Sequence, residues 1–240
     1  MIDKEETFKK LYTVFSKYTR PSRVIGSPIS VNPDADIKLT TKPLKSLSKD
    51  DLNEYEFKAM TTWGTAEDFK YFLPAILEAN FYSFNWGADI FFGKIYSAAC
   101  HEDDEQNVLA EYMLAMWEDA SKLPWPDLER IEALIDNLDS FIPNEKVNPL
   151  VENWIKEWAE HEHIEAFEKL VSYINFNWIE VLYQNKPHHN FLDIVLASSF
   201  QERLQKSFFE YEKTRPKFAN IISSCEKHIF DYLSINSANK

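Results

Sequence analysis

The sequence predicts an all-α protein, and three observations carry that expectation. Apolar residues recur at helical spacing along most of the 240 residues. Glycine is scarce, at 4 residues, whereas all-β folds use it freely in their tight turns. Ser, Thr or Asn stands repeatedly just ahead of an apolar stripe, where helices are capped. With 45% hydrophobic and 15% aromatic residues there is ample material for a core. The length suits one large domain or two tightly packed halves, and the expectation is a single compact domain over 1–240.

The elements follow in chain order. Phe8, Leu11, Tyr12 and Phe15, at i, i+3, i+4 and i+7, predict a first helix over 3–18. Residues 20–47 carry Pro21, Gly26, Pro28, Pro33 and Pro43, which exclude a long helix; the interleaved Val24, Ile25, Ile29, Val31, Ile37 and Leu39 predict an irregular arm packed on the surface. Ser48-x-x-Asp51 opens a helix to about Thr62, and Thr65-x-x-Asp68 opens the next, with Pro74 inside it as a kink. A short helix from about Gly87 to Cys100 follows. His101 to Glu105 then leads into the stripe Val108, Leu109, Tyr112, Met113, Met116 and Trp117. Pro126 suits the first turn of a helix bearing Leu128, Ile131, Leu134, Ile135, Leu138 and Phe141. The helical stretch from Val147 to about Tyr183 is too long for one ordinary helix and is expected to break near Glu160–His163. Asn190-x-x-Asp193 caps a helix through Phe208, and Thr214 and Pro216 begin the last, with residues 235–240 frayed. Short connections make neighbouring helices antiparallel, nine or ten in all. No fixed-period repeat is present.

The net charge of -13 is unevenly spread. Residues 1–100 hold 13 acids and 13 bases, residues 101–170 hold 19 acids against 5 bases, and residues 171–240 hold 7 against 8. A field of this sign repels nucleic acid and attracts cationic partners. Its simplest use is solubility. The start, MIDKEETFKK, lacks the apolar core of a signal peptide, and no apolar run approaches the ~20 residues of a membrane span. Cys100 and Cys225 form no disulfide framework or zinc knuckle, and they read as buried thiols of a cytoplasmic protein.

Catalytic motifs are absent: there is no phosphate loop, dinucleotide fingerprint or nucleophile elbow. The best metal candidates are Glu160 and His163, one Glu-x-x-His, among Glu157, His161, Glu162 and Glu165. A di-iron bundle needs a second such motif, which the chain lacks, and on a helix His161 and His163 diverge by about 200°. A charged helix end is the simpler account. His188 and His189 read as exposed loop residues and His228 as a half-buried histidine. Trp154 and Trp158 read as core. Arg20, Arg23, Lys38, Lys42 and Lys45, with Asp34 and Asp36 between them, make a weak basic arm. No cofactor and no catalytic residue is expected.

The segments LYTVFSKYTRPSRVIGSPISVNP, KPLKSL and YEFKAMTTWGTAEDFKYFLPAILE, within roughly residues 11–80, resemble a family of uncharacterised bacterial proteins. Members of that family carry cysteines where this chain has Ser27, Ile29 and Ser30, so a role resting on them does not transfer. The resemblance implies a bacterial helical protein and no activity. By type, an acidic chain without catalytic groups is similar to the immunity proteins of contact-dependent growth inhibition, which neutralise a toxin domain, commonly a basic nuclease.

The leading expectation is therefore a non-catalytic protein that docks a basic partner through Glu102, Asp103, Asp104 and Glu105 and through Glu129, Glu132 and Asp136, without nucleic acid or membrane. The last three lie at i, i+3 and i+7, opposite an apolar stripe, and are expected to face solvent together. The alternatives are a helical scaffold and a metal-dependent enzyme using His161 and His163. Elemental analysis of the purified protein is expected to find no stoichiometric zinc or iron; about one metal per chain, lost in His163→Ala, would favour the enzyme.

Overall fold

Helix ends organise the chain. In the computed structural model, which describes residues 2–27, 33–83, 87–98, 100, 102–123, 125, 127–183 and 189–238, the backbone is all-α and divides into two compact units, Met1–Asp119 and Ala120–Lys240. Twelve α-helices form among the described residues. No strand does; two isolated bridges, Gly26 with Trp63 and Ala59 with Trp63, are the only pairing there. No helix of the described residues is long and apolar enough to cross a membrane.

The first unit holds α1 (Lys4–Val14), α2 (Pro33–Thr41), α3 (Lys49–Lys58), α4 (Ala66–Asn80), α5 (Ala88–Ser97) and α6 (Asp103–Ala120), the last ending at the unit boundary. Asp3 caps α1 by accepting from the Glu5 and Glu6 amides. Ser48–Asp51 and Thr65–Asp68 form complete capping boxes at α3 and α4, as their spacing predicts. Helix α4 supplies the core: Phe69, Phe72, Leu73, Ile76 and Leu77 are all buried, and Tyr55 of α3 meets Phe72 edge-on at 4.9 Å. Pro74 lies inside α4 without ending it.

The Pro-rich arm departs from expectation. Residues 33–41 form a helix, because Pro33 stands at its start, Asp34 and Asp36 occupy the first turn, and Lys38 the last. Ahead of it, Ile25 and Ser27 pair with the turn after α3: the Gly64 amide donates to the Ile25 carbonyl at 2.7 Å and the Ser27 amide to Thr62 at 2.9 Å. Gly64 has φ +82, and an added Cβ would stand 2.8 Å from Val24, so this turn requires glycine. Pro28, Ile29, Ser30, His101, Pro126 and His188 lie outside the described residues, as do the side chains of His189 and Asn190.

The second unit holds α7 (Leu128–Ile135), α8 (Asn144–Glu160), α9 (Ile164–Phe176), α10 (His189–Leu196), α11 (Ser198–Tyr211) and α12 (Pro216–Ala238). The expected break falls at His161–His163. A second break, at Ala197, separates α10 from α11; with α2 it raises the number of helices above the nine or ten expected. Pro149 sits in the second turn of α8, and residues Ile179–Tyr183 form a π-turn after α9. The final helix continues to Ala238, so residues 235–238, expected to fray, are helical. Its stripe of Phe218, Ile222, Cys225 and Ile229 is buried, and α9 and α11 pack against it.

Hydrogen bonds with Lys42 and with the Ser48 amide hold the Asp51 carboxyl at about 2, below its ordinary 3.8. A carboxylate depressed on folding contributes stability that is complete above its ordinary pKa and is lost as pH falls through the folded value. Asp51→Asn is therefore expected to cost about 1 kcal/mol at pH 7 and to lessen the loss of stability between pH 4 and 2, measured by urea unfolding across pH.

Candidate functional site

The expected acidic clusters are built differently from their outlines in the sequence. In the first unit, Glu102, Asp103 and Asp104 are exposed, but Glu105 is fully buried and therefore does not face a partner. Its carboxylate accepts from the Tyr18 hydroxyl and pairs with Lys17 at 3.0 Å and Lys70 at 3.2 Å. Burial works against its charge, yet the bonds from Tyr18, Lys17 and Lys70 prevail and hold its pKa below the ordinary value. Lys17 also reaches Glu102 at 2.6 Å and Asp104 at 3.4 Å. Much of this cluster is thus balanced by two lysines and serves as an internal ionic joint between the end of α1, α4 and the first turn of α6.

In the second unit, Glu129 and Asp136 are exposed, as expected. Glu132 is half-buried and accepts from the Asn177 amide at 3.1 Å, so the three carboxylates do not face solvent equally. Burial, assisted by the charges of Asp136 and Glu129, pushes the Glu132 carboxyl above the ordinary range despite that bond.

The metal candidates are also rearranged. Glu160 ends α8, His161 follows it, and His163 precedes α9, so none of the three pairs along a continuous helix. The expected divergence of His161 and His163 does not apply: their rings stack at 5.2 Å, and the His163 amide donates to Nδ1 of His161. Among the described residues no group of three or more His, Cys, Asp and Glu gathers in a way that would hold a metal. Cys100 and Cys225 are free and buried, and burial pushes both thiols up to about 12, so neither is a ready nucleophile at neutral pH. His228 is half-buried against Trp178, with parallel rings 4.5 Å apart.

A groove of about 1070 Å³ lies in the second unit, between the end of α8, α10 and α11. Six carboxylates line it: Glu152, Glu160, Glu162, Asp193, Glu202 and Glu210. Against them stand Lys156, Arg203 and Lys206. Lys156 is paired with Glu152 at 2.6 Å. Arg203 donates to the carbonyls of Ala159 and His161, and its guanidinium lies 4.1 Å over the Phe167 ring. Those carbonyls belong to the end of α8, where a helix leaves acceptors unanswered. Ile164 and Ile194, both half-buried, add apolar surface. The groove is therefore an acidic, partly apolar trough with two of its three cations already engaged.

Sequence spacing pointed to Glu160 and Glu162 as part of a metal candidate but missed the groove. Its walls come from three helices, and the breaks at His161–His163 and Ala197 that bring them together leave only weak local signals. No protein-family model, curated protein or solved structure matches the chain.

Removing the Arg203 fork leaves two carbonyls and a ring face without their partner. Arg203→Ala is expected to destabilise the protein by about 2–3 kcal/mol in urea unfolding. Arg203→Lys should recover less than half of that, because an ammonium cannot supply the planar fork. A lysine variant as stable as the parent would refute the capping role.

Proposed function

We propose that the chain is a non-catalytic protein-binding module whose second unit grips a Lys- and Arg-bearing segment of a partner in the acidic groove. Its biological task, on this reading, is to neutralise a basic toxin domain in the cytoplasm, in the manner of the immunity proteins of contact-dependent growth inhibition. The observation that carries the proposal is the lining: six carboxylates face three cations, one of them paired with Glu152 and another engaged by the end of α8. A groove of that sign raises the local concentration of a cationic segment and orients it before contact. Half-buried Ile164 and Ile194 offer surface to the aliphatic stems of lysine and arginine, whose charged ends then reach the carboxylates.

The test uses a fluorescent ten-lysine peptide and the full chain, read by anisotropy across salt concentrations. Binding should weaken steeply with salt, and the triple variant Glu160→Gln, Glu162→Gln, Glu202→Gln should lower affinity about tenfold or more. Reversing Glu129, Glu132 and Asp136 to Lys should have the smaller effect. A larger effect of that second triple would move the docking site to α7. If neither triple changes affinity or salt dependence, these acids serve solubility alone. The toxin assignment is tested separately by co-expression: the chain should rescue growth from a toxin domain encoded beside it, and the groove triple should not.

A further inference from the structure

The first unit contains a concavity of opposite character. An open cleft of about 760 Å³ lies among α1, the turn at Leu44–Ser46 and α4. Its wall is mostly aromatic and apolar, with Tyr12, Phe15, Tyr18 and Tyr71 beside two prolines, and its charged lining residues are Lys9 and Lys45. Among the described residues no acid lines it. Size and composition match a small-molecule site: predominantly apolar, with a few polar groups that fix orientation.

The polar groups are arranged for an anion. The Lys45 ammonium lies 4.8 Å over the Tyr12 ring, and among the described residues it has no carboxylate at ion-pair distance. Lys9 meets only Glu6, at 3.4 Å, with both side chains largely exposed, a weak contact that a bound anion can replace. The Tyr71 hydroxyl accepts from Nε of Arg20 at 3.0 Å, which leaves its own proton to donate and places a third cation behind it. The Tyr12 hydroxyl is held at 2.7 Å by Glu78, which does not line the cleft, so that ring is fixed at the wall. Aromatic faces favour a flat ring, while Lys9, Lys45 and the Tyr71 proton favour a negative group attached to it.

We propose that this cleft binds a planar aromatic small molecule bearing a carboxylate or phosphate, with its ring against the tyrosines and its anion between Lys9, Lys45 and the Tyr71 hydroxyl. The site is separate from the acidic groove and independent of its proposed partner.

The experiment titrates the full chain with 1-naphthoate and with adenosine monophosphate, by calorimetry and by amide NMR. Naphthalene-1-carboxamide and adenosine are the neutral counterparts, and inorganic phosphate the ring-free control. At least one aromatic anion should bind saturably with a Kd below about 1 mM, at least tenfold tighter than its neutral counterpart and than phosphate. Amide shifts should centre on Tyr12, Lys45 and Tyr71. Binding of the carboxylate alone, or of the phosphate alone, identifies which anion the site takes. The double reversal Lys9→Glu, Lys45→Glu should weaken binding about tenfold or more with an unchanged circular dichroism spectrum, since both residues are exposed. Tyr71→Phe, which keeps the ring, should weaken it severalfold. Three results would overturn the proposal: no saturable binding by either anion, equal binding of the neutral counterparts or of phosphate alone, or full affinity in the double reversal.

Discussion

Arg203 holds the end of α8, and the groove depends on that one side chain. A helix that stops inside a packed unit leaves its last carbonyls needing donors, and the chain after Glu160 turns away before it can supply them. The guanidinium of α11 provides two N–H groups to Ala159 and His161 while resting on Phe167 of α9. One residue therefore fixes the end of α8, the start of α9 and the approach of α11. Burial lowers the Arg203 pKa, but guanidinium starts so high that the charge persists. The groove keeps its acidic character because its six carboxylates outnumber its three cations.

The same requirement explains why local spacing was so informative about the fold. Ser48 with Asp51 and Thr65 with Asp68 satisfy helix starts from within four residues, so those boundaries are written in contiguous sequence. The break at His161–His163 was legible too, since the helical stretch exceeded any ordinary length. Three features were not. The helix Pro33–Thr41 was hidden by the density of prolines around it, although Pro33 and Pro43 delimit it rather than disrupt it. The break at Ala197 has no proline or glycine to mark it. The helical tail to Ala238 ends in a polar stretch that reads as frayed.

The functional surfaces were less legible, for a physical reason. Charge along the chain predicts which segment is acidic, but not which acids are neutralised from elsewhere in the fold. Glu105 belongs to the run Glu102–Glu105, yet it is buried against Lys17 and Lys70, residues 88 and 35 positions away in sequence. Glu132 leans on Asn177 across a similar separation. The groove draws on Glu152, Glu202 and Glu210, none of which stands out in its own segment, and on Asp193, which spacing assigned to a helix start. A surface of this kind is visible only once helices distant in sequence are side by side.

The two concavities of a chain of net charge -13 are lined by opposite charges. In the first unit, carboxylates pair with lysines in the joint around Glu105, while Lys9 and Lys45 remain along the aromatic cleft. In the second, Lys156 and Arg203 are tied to Glu152 and to backbone carbonyls, and carboxylates dominate the groove. Net charge is thus a poor guide to either site. What matters is whether each ion's partner lies within the fold, because a paired ion contributes little field to a ligand outside it. Counted that way, the groove holds surplus carboxylates, while the cleft is lined by Lys45, with no carboxylate at ion-pair distance among the described residues, and by Lys9, with only the weak contact to Glu6; the two proposed preferences follow from these pairings.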